Sequence, residues 1–271
     1  MPDLNRMIPK IIHYCWFGGK PLPPLAERCI ASWKKWLPDY EIRRWNESNF
    51  NVNAIEYTRQ AYARKKYAFV SDYARFWILY NYGGIYFDVD VEVVAPFNDI
   101  IERGPFLGVE SDSTIAAGVV TGADLPLQCN PGLAMGAYKG MQFYAEMLHR
   151  YSTLSFLYSS GAINTTTVVT HTSRALLDAG FNPTLGIENP EHTFQIIKGI
   201  TIYPKRYFCP TIHENEIDIL SDTHSIHHYA ASWVTPSMKL KGKISSLISK
   251  CVPVSVYTLI RKTYRLILQK K

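Results

Sequence analysis

"GGIYFDVDV", residues 83–91, decides how the rest of the chain is read. Ile85, Phe87, Val89 and Val91 mark an apolar strand after a glycine pair, yet two carboxylates, Asp88 and Asp90, interrupt it. Side chains of an extended strand alternate between faces. Asp88 and Asp90 are therefore expected on one face with Tyr86 and Glu92, and Phe87, Val89 and Val91 on the other. Two like charges side by side are costly to bury unless a cation, a proton or a strong donor stands between them. A DxD also arises as two exposed acids at the end of a strand, but this pair ends a strand that reads as buried. The pattern points to a divalent ion: carboxylate oxygens are the ligands Mg²⁺ and Mn²⁺ favour, usually shared with the phosphates of a nucleotide.

Upstream, "FVSDYARFWILYNYGG" (69–84) has helical character, with Ser71 near its start and Gly83 near its stop. Asp72 and Arg75 lie three positions apart and so share a face. An ordinary helix salt bridge is one reading. Phe69, Val70, Phe76, Trp77, Ile78 and Leu79 make the helix apolar on most sides, however, and charges in such surroundings are usually paired for a reason. Further upstream a strand (Ile11 to Trp16), a glycine turn, a helix (about Ala26 to Trp36) and a second strand (Tyr40 to Asn46) suggest a parallel sheet. Another helix is expected from about Asn53 to Lys66.

Downstream, "PFLGVE", "IAAGVVTG", "GITIYP" and "SIHHYAAS" are strand candidates, and "GMQFYAEMLHRYS" has helical spacing. "TTTVVT" is either a strand or the start of a helix ending near Gly180. The expectation is an α/β domain with a mostly parallel central sheet flanked by helices.

The chain of 271 residues, 47% hydrophobic and 13% aromatic, can bury a sizeable core. Five scattered cysteines without a CxxC pair suggest neither a disulfide scaffold nor a zinc site and fit a reducing compartment. The beginning has no signal-peptide pattern, and no run of eighteen apolar residues occurs, so a cytoplasmic protein is expected. The net charge of +6 is uneven: from Thr223 to Lys271 there are nine Lys and Arg and no acid, leaving about −3 for everything before. That removes the main argument for nucleic-acid binding. Residues 239–271 read either as a solvated helix pair packed on the domain or as a basic amphipathic anchor on an anionic membrane.

Taken together, "IIHYCWFGG" (11–19), "SDYARFWILYNYGGIYFDVDV" (71–91) and "HHYAASW" (227–233) resemble glycosyltransferase family 32. That family comprises DXD-type sugar transferases of bacterial capsule and lipopolysaccharide synthesis and fungal initiating mannosyltransferases. The central block is also similar to the catalytic domain of the large clostridial glucosylating toxins. The resemblance covers residues 8–97 and 224–233 and leaves about 100–220 unaligned.

It implies a GT-A-like catalytic domain over 1–236, followed by the basic tail at 237–271. By position, Trp16 is similar to the aromatic that stacks on the nucleobase, and Asp72 and Arg75 to the pair that holds the donor sugar's hydroxyls. Asp88 resembles the first acid of the motif, with Tyr86 beside it, and Asp90 the direct metal ligand. Ser232 and Trp233 would close over the diphosphate, and His227 or His228 would complete the metal sphere. Two neighbouring histidines in a strand face opposite ways, so one of them, His227 by preference, is expected at the site.

The implied activity is transfer of a hexose, with retention, from a nucleotide-sugar to a saccharide or lipid-linked glycan acceptor, using Mn²⁺ or Mg²⁺. UDP-hexose is the favoured donor, with GDP-mannose the alternative. A peripheral position on the inner face of the membrane would suit the tail. A haloacid-dehalogenase-type phosphohydrolase fits less well, since its DxD lies near the N-terminus and is followed two places on by Thr or Val, where this chain has Glu92. A degenerate glycan- or nucleotide-binding protein would be expected to have lost some of Asp72, Arg75, Asp88 and Asp90. A protein-modifying effector is the third alternative.

Overall fold

In a computed structural model that describes residues 7–111, 128–183, 194–210, 212–213, 216–217 and 219–230, the sheet is built on strand β1, Ile11–Cys15. Helix α1 (Pro24–Trp36) and strand β2 (Glu41–Trp45) follow, then helices α2 (Glu56–Ala63) and α3 (Tyr67–Tyr82) and strand β3 (Gly84–Tyr86). Next come β4 (Val91–Val93), helix α4 (Asn98–Glu102), β5 (Phe106–Ser111), β6 (Gln128–Cys129) and β7 (Met135–Ala137). Helices α5 (Gln142–Ser152) and α6 (Val168–Asp178) lead to β8 (Gln195–Ile197), β9 (Ile200–Tyr203), helix α7 (Lys205–Phe208), β10 (Ile212–His213), β11 (Glu216–Ile217) and β12 (Ser225–His227).

The main sheet has the order β2-β1-β3-β7-β5-β9-β8, with β6 paired to β5. β2, β1, β3, β5 and β9 run one way; β6, β7 and β8 run against them. This is the expected α/β architecture with most strands parallel in direction. β4 and β12 form a separate antiparallel ribbon.

Strand alternation divides the core into two layers. Ile12 and Tyr14 enter one cluster with Trp33 of α1, Phe97 and Phe208, whereas Cys15 enters the other with Val70 and Phe76 of α3 and Tyr144 and Tyr151 of α5. Helix α1 starts at Pro24, two residues earlier than expected, because proline is well tolerated in the first turn. It buries Ala26, Cys29 and Trp33, and the Trp33 indole donates to Val91 O at 2.7 Å, fixing the helix to β4.

Two expectations change, and one open alternative is resolved. The helix expected over Asn53–Lys66 stops at Ala63, because Lys65 takes a positive φ of 56° and Lys66 N donates back to Ala61 O. Ser71 does not start α3 but lies in its second turn, donating to Tyr67 O. "TTTVVT" begins a helix: Thr167 caps α6 by accepting from Thr170 N. The candidate strand "IAAGVVTG" and the tail at 237–271 lie outside the described residues. Among the described residues no helix is long and apolar enough to cross a membrane.

The junction of α3 with β3 is fixed by a buried histidine. Gly83 ends the helix at φ 67°, and a Cβ there would press on Ala137 O, Lys139 N and Pro9 at 2.9 Å. His13 of β1 holds the Gly83 carbonyl through Nε2 at 3.0 Å and accepts the Trp45 indole proton on Nδ1 at 3.1 Å. With Nδ1 accepting, Nε2 carries the ring's only proton, so the imidazole is neutral.

Burial lowers the His13 pKa to about 4, Gly83 opposing and Arg43 adding. Between pH 6.5 and 4 the unfolded chain binds a proton at His13 that the folded chain does not, so stability falls as pH falls through that window. His171, also lowered to about 4 by burial, adds to the same slope. Denaturant unfolding at pH 7 and pH 5 should show this loss, and His13→Gln should reduce the slope by up to one proton, about 1.4 kcal/mol per pH unit. An unchanged slope would mean that His13 is not held neutral.

Candidate active site

β1 and β3 are adjacent and parallel, so their carboxyl ends open on the same edge, where ligands of open α/β sheets bind. At that edge the expected continuous strand through Asp88 and Asp90 is replaced by a turn. β3 ends at Tyr86, Phe87 N donates to His13 O, and Asp88 N donates to Gly132 O at 3.1 Å. Asp88 O then accepts from Val91 N at 3.1 Å, closing a four-residue turn before β4. The acids converge because the chain turns, not because a strand alternates.

β4 pairs with β12 so that His227 lies opposite Val91. His227 Nε2 stands 3.4 Å from Asp90 Oδ1, and ligand atoms of Asp88, Asp90 and His227 all lie within 4.8 Å of one another. His228 is not part of this group: its Nε2 is 2.8 Å from Glu92 Oε2, while its backbone N donates to Asp90 O. Placing His228 among the metal ligands is thereby corrected, for the alternation that brings His227 in turns His228 toward Glu92.

Helix α3 supplies the balancing charge. Arg75 Nη2 is shared between Asp72 Oδ1 at 3.1 Å and Asp88 Oδ1 at 3.3 Å, and Nε donates to Ser71 O. The guanidinium lies 5.0 Å from the centre of the Tyr86 ring, whose hydroxyl donates to the same Asp88 oxygen at 3.0 Å. Burial works against the charge of Arg75, but Asp88, Tyr86 and Asp72 outweigh it and raise its pKa. Burial also raises the Asp72 carboxyl to about 7, with Arg75 opposing and Asp88 adding. Arg75 Nη1 is buried and has no hydrogen-bond partner among the described residues. An orphaned guanidinium nitrogen on an otherwise saturated side chain is suited to a ligand acceptor atom.

Trp16 leaves the end of β1 on this edge. Its indole nitrogen donates to Lys20 O at 2.7 Å, so the flat faces of the ring are what it has left to offer. Gly18, at φ 92°, donates its N–H to Glu47 and lies close under the Tyr67 ring at the start of α3. Ser232 and Trp233 lie outside the described residues.

The donor set of two carboxylates and an imidazole fits a divalent cation that accepts oxygen and nitrogen ligands. Sequence reasoning missed the loop beneath it. A Cβ on Gly132 would collide with Asp88 Oδ2 and meet Asn130 Oδ1 at 3.0 Å, and Asn130 Oδ1 accepts from Gly132 N at 2.7 Å. "NPG" at 130–132 signals a turn, but no local pattern ties it to Asp88. Because Gly132 does not occupy the positive-φ region, alanine is compatible with its backbone, and the side chains that must move are the Asp88 carboxylate and, by a few tenths of an ångström, the Asn130 amide. Gly132→Ala should therefore leave the thermal midpoint near that of the parent while weakening divalent-cation binding about tenfold or more, by titration.

Comparison with known proteins adds three kinds of similarity. The family model described as "Glycosyltransferase sugar-binding region containing DXD motif" matches residues 23–107. Two curated relatives from Schizosaccharomyces pombe are similar: "Inositol phosphoceramide mannosyltransferase 3", 27% identical over 161 residues, and "Inositol phosphoceramide mannosyltransferase 1", 26% identical over 115 residues. These matches take in 57% and 39% of this chain but only 40% and 35% of the relatives' own lengths. Among solved structures, "PaToxG Glycosyltransferase" aligns at a TM-score of 0.46 with 19% identity, covering 67% of this chain and 72% of that one. Residues 23–107 of this chain are thus similar to a glycosyltransferase sugar-binding region, and Asp88 and Asp90 within them form a DXD.

Proposed function

We propose that the protein transfers a hexose from a nucleotide-sugar to an acceptor hydroxyl with the help of Mn²⁺ or Mg²⁺. The observation that carries this is the convergence of Asp88, Asp90 and His227 beside a buried Arg75 whose Nη1 has no partner among the described residues. Asp88, Asp90 and His227 would hold the cation, which when bound stabilises the charge developing on the departing phosphate.

The remaining roles belong to the chain's own groups. Arg75 Nη1 donates to a donor-sugar hydroxyl, and Asp72, held by Arg75 Nη2, accepts from another. Tyr86 fixes the direction of the Asp88 carboxylate through its hydroxyl. Trp16 offers a ring face to the base. As the resemblance implies retention, the bond from the sugar's anomeric carbon to phosphate breaks and that from the carbon to the acceptor oxygen forms on the same face. The acceptor's proton passes to the departing phosphate.

A glycan or glycolipid hydroxyl is the acceptor this reading favours. The two fungal relatives are named for mannose and inositol phosphoceramide, which places GDP-mannose beside UDP-hexoses among the donors to test. The basic segment 239–271, without an acid, would bring such an enzyme to an anionic membrane carrying its acceptor. Deleting 239–271 should release the protein from vesicles containing anionic lipid while soluble-acceptor turnover persists; undiminished vesicle binding would remove the anchor from the proposal.

Donor hydrolysis measured across UDP- and GDP-sugars, with Mn²⁺, with Mg²⁺ and with chelator, tests the activity directly. One nucleotide should be preferred and chelator should abolish the rate. Asp90→Asn, which keeps the shape and loses the charge, should lower the metal-dependent rate on the order of a hundredfold or more. If no sugar nucleotide is cleaved under any metal, the transferase reading fails. If Asp90→Asn keeps the full rate, the site assignment fails instead.

A further inference from the structure

We infer that Glu110 is a positioning residue for the cation site, clamping together the two loops that deliver Asp88 and His227. The inference rests on the metal-binding reading of that site.

Glu110 stands on β5, a strand running in the same direction as β1 and β3, near its carboxyl end. On one side its Oε2 accepts from Asn130 Nδ2 at 2.7 Å. Asn130 Oδ1 accepts from Gly132 N at 2.7 Å, and Gly132 O accepts from Asp88 N at 3.1 Å. On the other side the same Glu110 oxygen lies 3.4 Å from the Tyr229 hydroxyl, which also contacts Cys209 Sγ at 2.9 Å. The Tyr229 ring meets the His227 ring edge-on at 4.2 Å between centroids. One carboxylate thus touches both arms of the site.

The residue type matters as much as the contacts. An ionised carboxylate only accepts, so it compels Asn130 to present its NH₂ to Glu110 and hence its oxygen to Gly132 N. Glutamine could present either end and would leave that amide free to flip. A half-buried acid is also a poor choice for packing alone, because partial desolvation disfavours its charge where a neutral amide would fill the same space. Burial does raise the Glu110 pKa, and Asn130, His227, Tyr229 and Lys205 oppose the rise. Tyr229 adds a second sign of constraint: it is a non-glycine residue at φ 46°, a strained geometry that persists where the surroundings impose it.

The test is Mn²⁺ affinity of the full chain without substrate, followed by electron paramagnetic resonance, with thermal melts in parallel. Wild type should bind Mn²⁺ and Asp90→Asn should not. Glu110→Ala should bind about 10–100-fold more weakly, Glu110→Gln by a smaller factor, and Tyr229→Phe by a few-fold, with the melting temperature of Tyr229→Phe unchanged. A merely structural Glu110 would lower the melting temperature and leave the affinity of the folded protein intact. Affinity within about twofold of wild type in folded Glu110→Ala would overturn the inference. Should Glu110→Ala not fold, the same result in both Glu110→Gln and Tyr229→Phe would overturn it. Absence of Mn²⁺ binding in wild type itself would bring down the metal reading, and this inference with it.

Discussion

One buried guanidinium holds the site together. Arg75 neutralises Asp72 and Asp88 at once, and without it a buried and a half-buried carboxylate would repel each other with no cation of the chain between them among the described residues. The cost runs both ways, since an Arg75 without its acids would be an uncompensated buried charge. This mutual dependence makes the spacing between helix and turn a hard constraint. From Arg75 to the end of α3 at Tyr82 the chain descends about 10 Å, and from Gly84 to Asp88 it climbs back about 13 Å. The two lengths agree within one residue's rise, so the side chains meet at the sheet edge. Inserting a residue in the helix would rotate Arg75 by about 100° and break the pairing.

That return path depends on the glycine pair between helix and strand. Gly83 leaves the helix at φ 67°, and a Cβ on Gly84 would lie 2.6 Å from Ile11 O and 3.0 Å from the His13 ring. β3 can therefore approach β1 closely enough to pair, and His13 locks the junction by binding the Gly83 carbonyl. Trp45 and Tyr82 pack around His13 at ring distances of 6.0 and 6.3 Å, excluding water from the hydrogen bond that sets the register. The precision of the acids at one end of β3 is thus inherited from a neutral imidazole at the other.

Much of this was legible because it is local. Asp72, Arg75, the glycine pair and the DXD lie within nineteen consecutive residues, 72–90; helical spacing paired Asp72 with Arg75, and the resemblance to a family set that pair beside the DXD. The strand drawn through the DXD was wrong for a physical reason: β3 and β4 are both short and apolar, and the turn between them keeps the phase of two, so alternation cannot distinguish one long strand from two. His227 was reached through resemblance to a family rather than by pattern. Glu110, Asn130 and Gly132 were invisible because β5, β6 and β7 assemble around β3 by pairings that no periodicity encodes.

The third member of the candidate cation site arrives by a different route from the other two. Asp88 and Asp90 belong to a turn anchored in the main sheet, but His227 lies on a ribbon that meets β4 by three paired residues, reinforced by His224 on Pro96 O at 2.6 Å and on Val94 N. β4 in turn leans on α1 through Trp33 and through Ser32, which accepts from Val93 N. A cation that binds only when His227 is docked would stabilise the docked ribbon by the same free energy that docking contributes to its affinity. With two candidate ligands on the main-sheet edge and one on β12, cation binding and the pairing of β12 with β4 are linked.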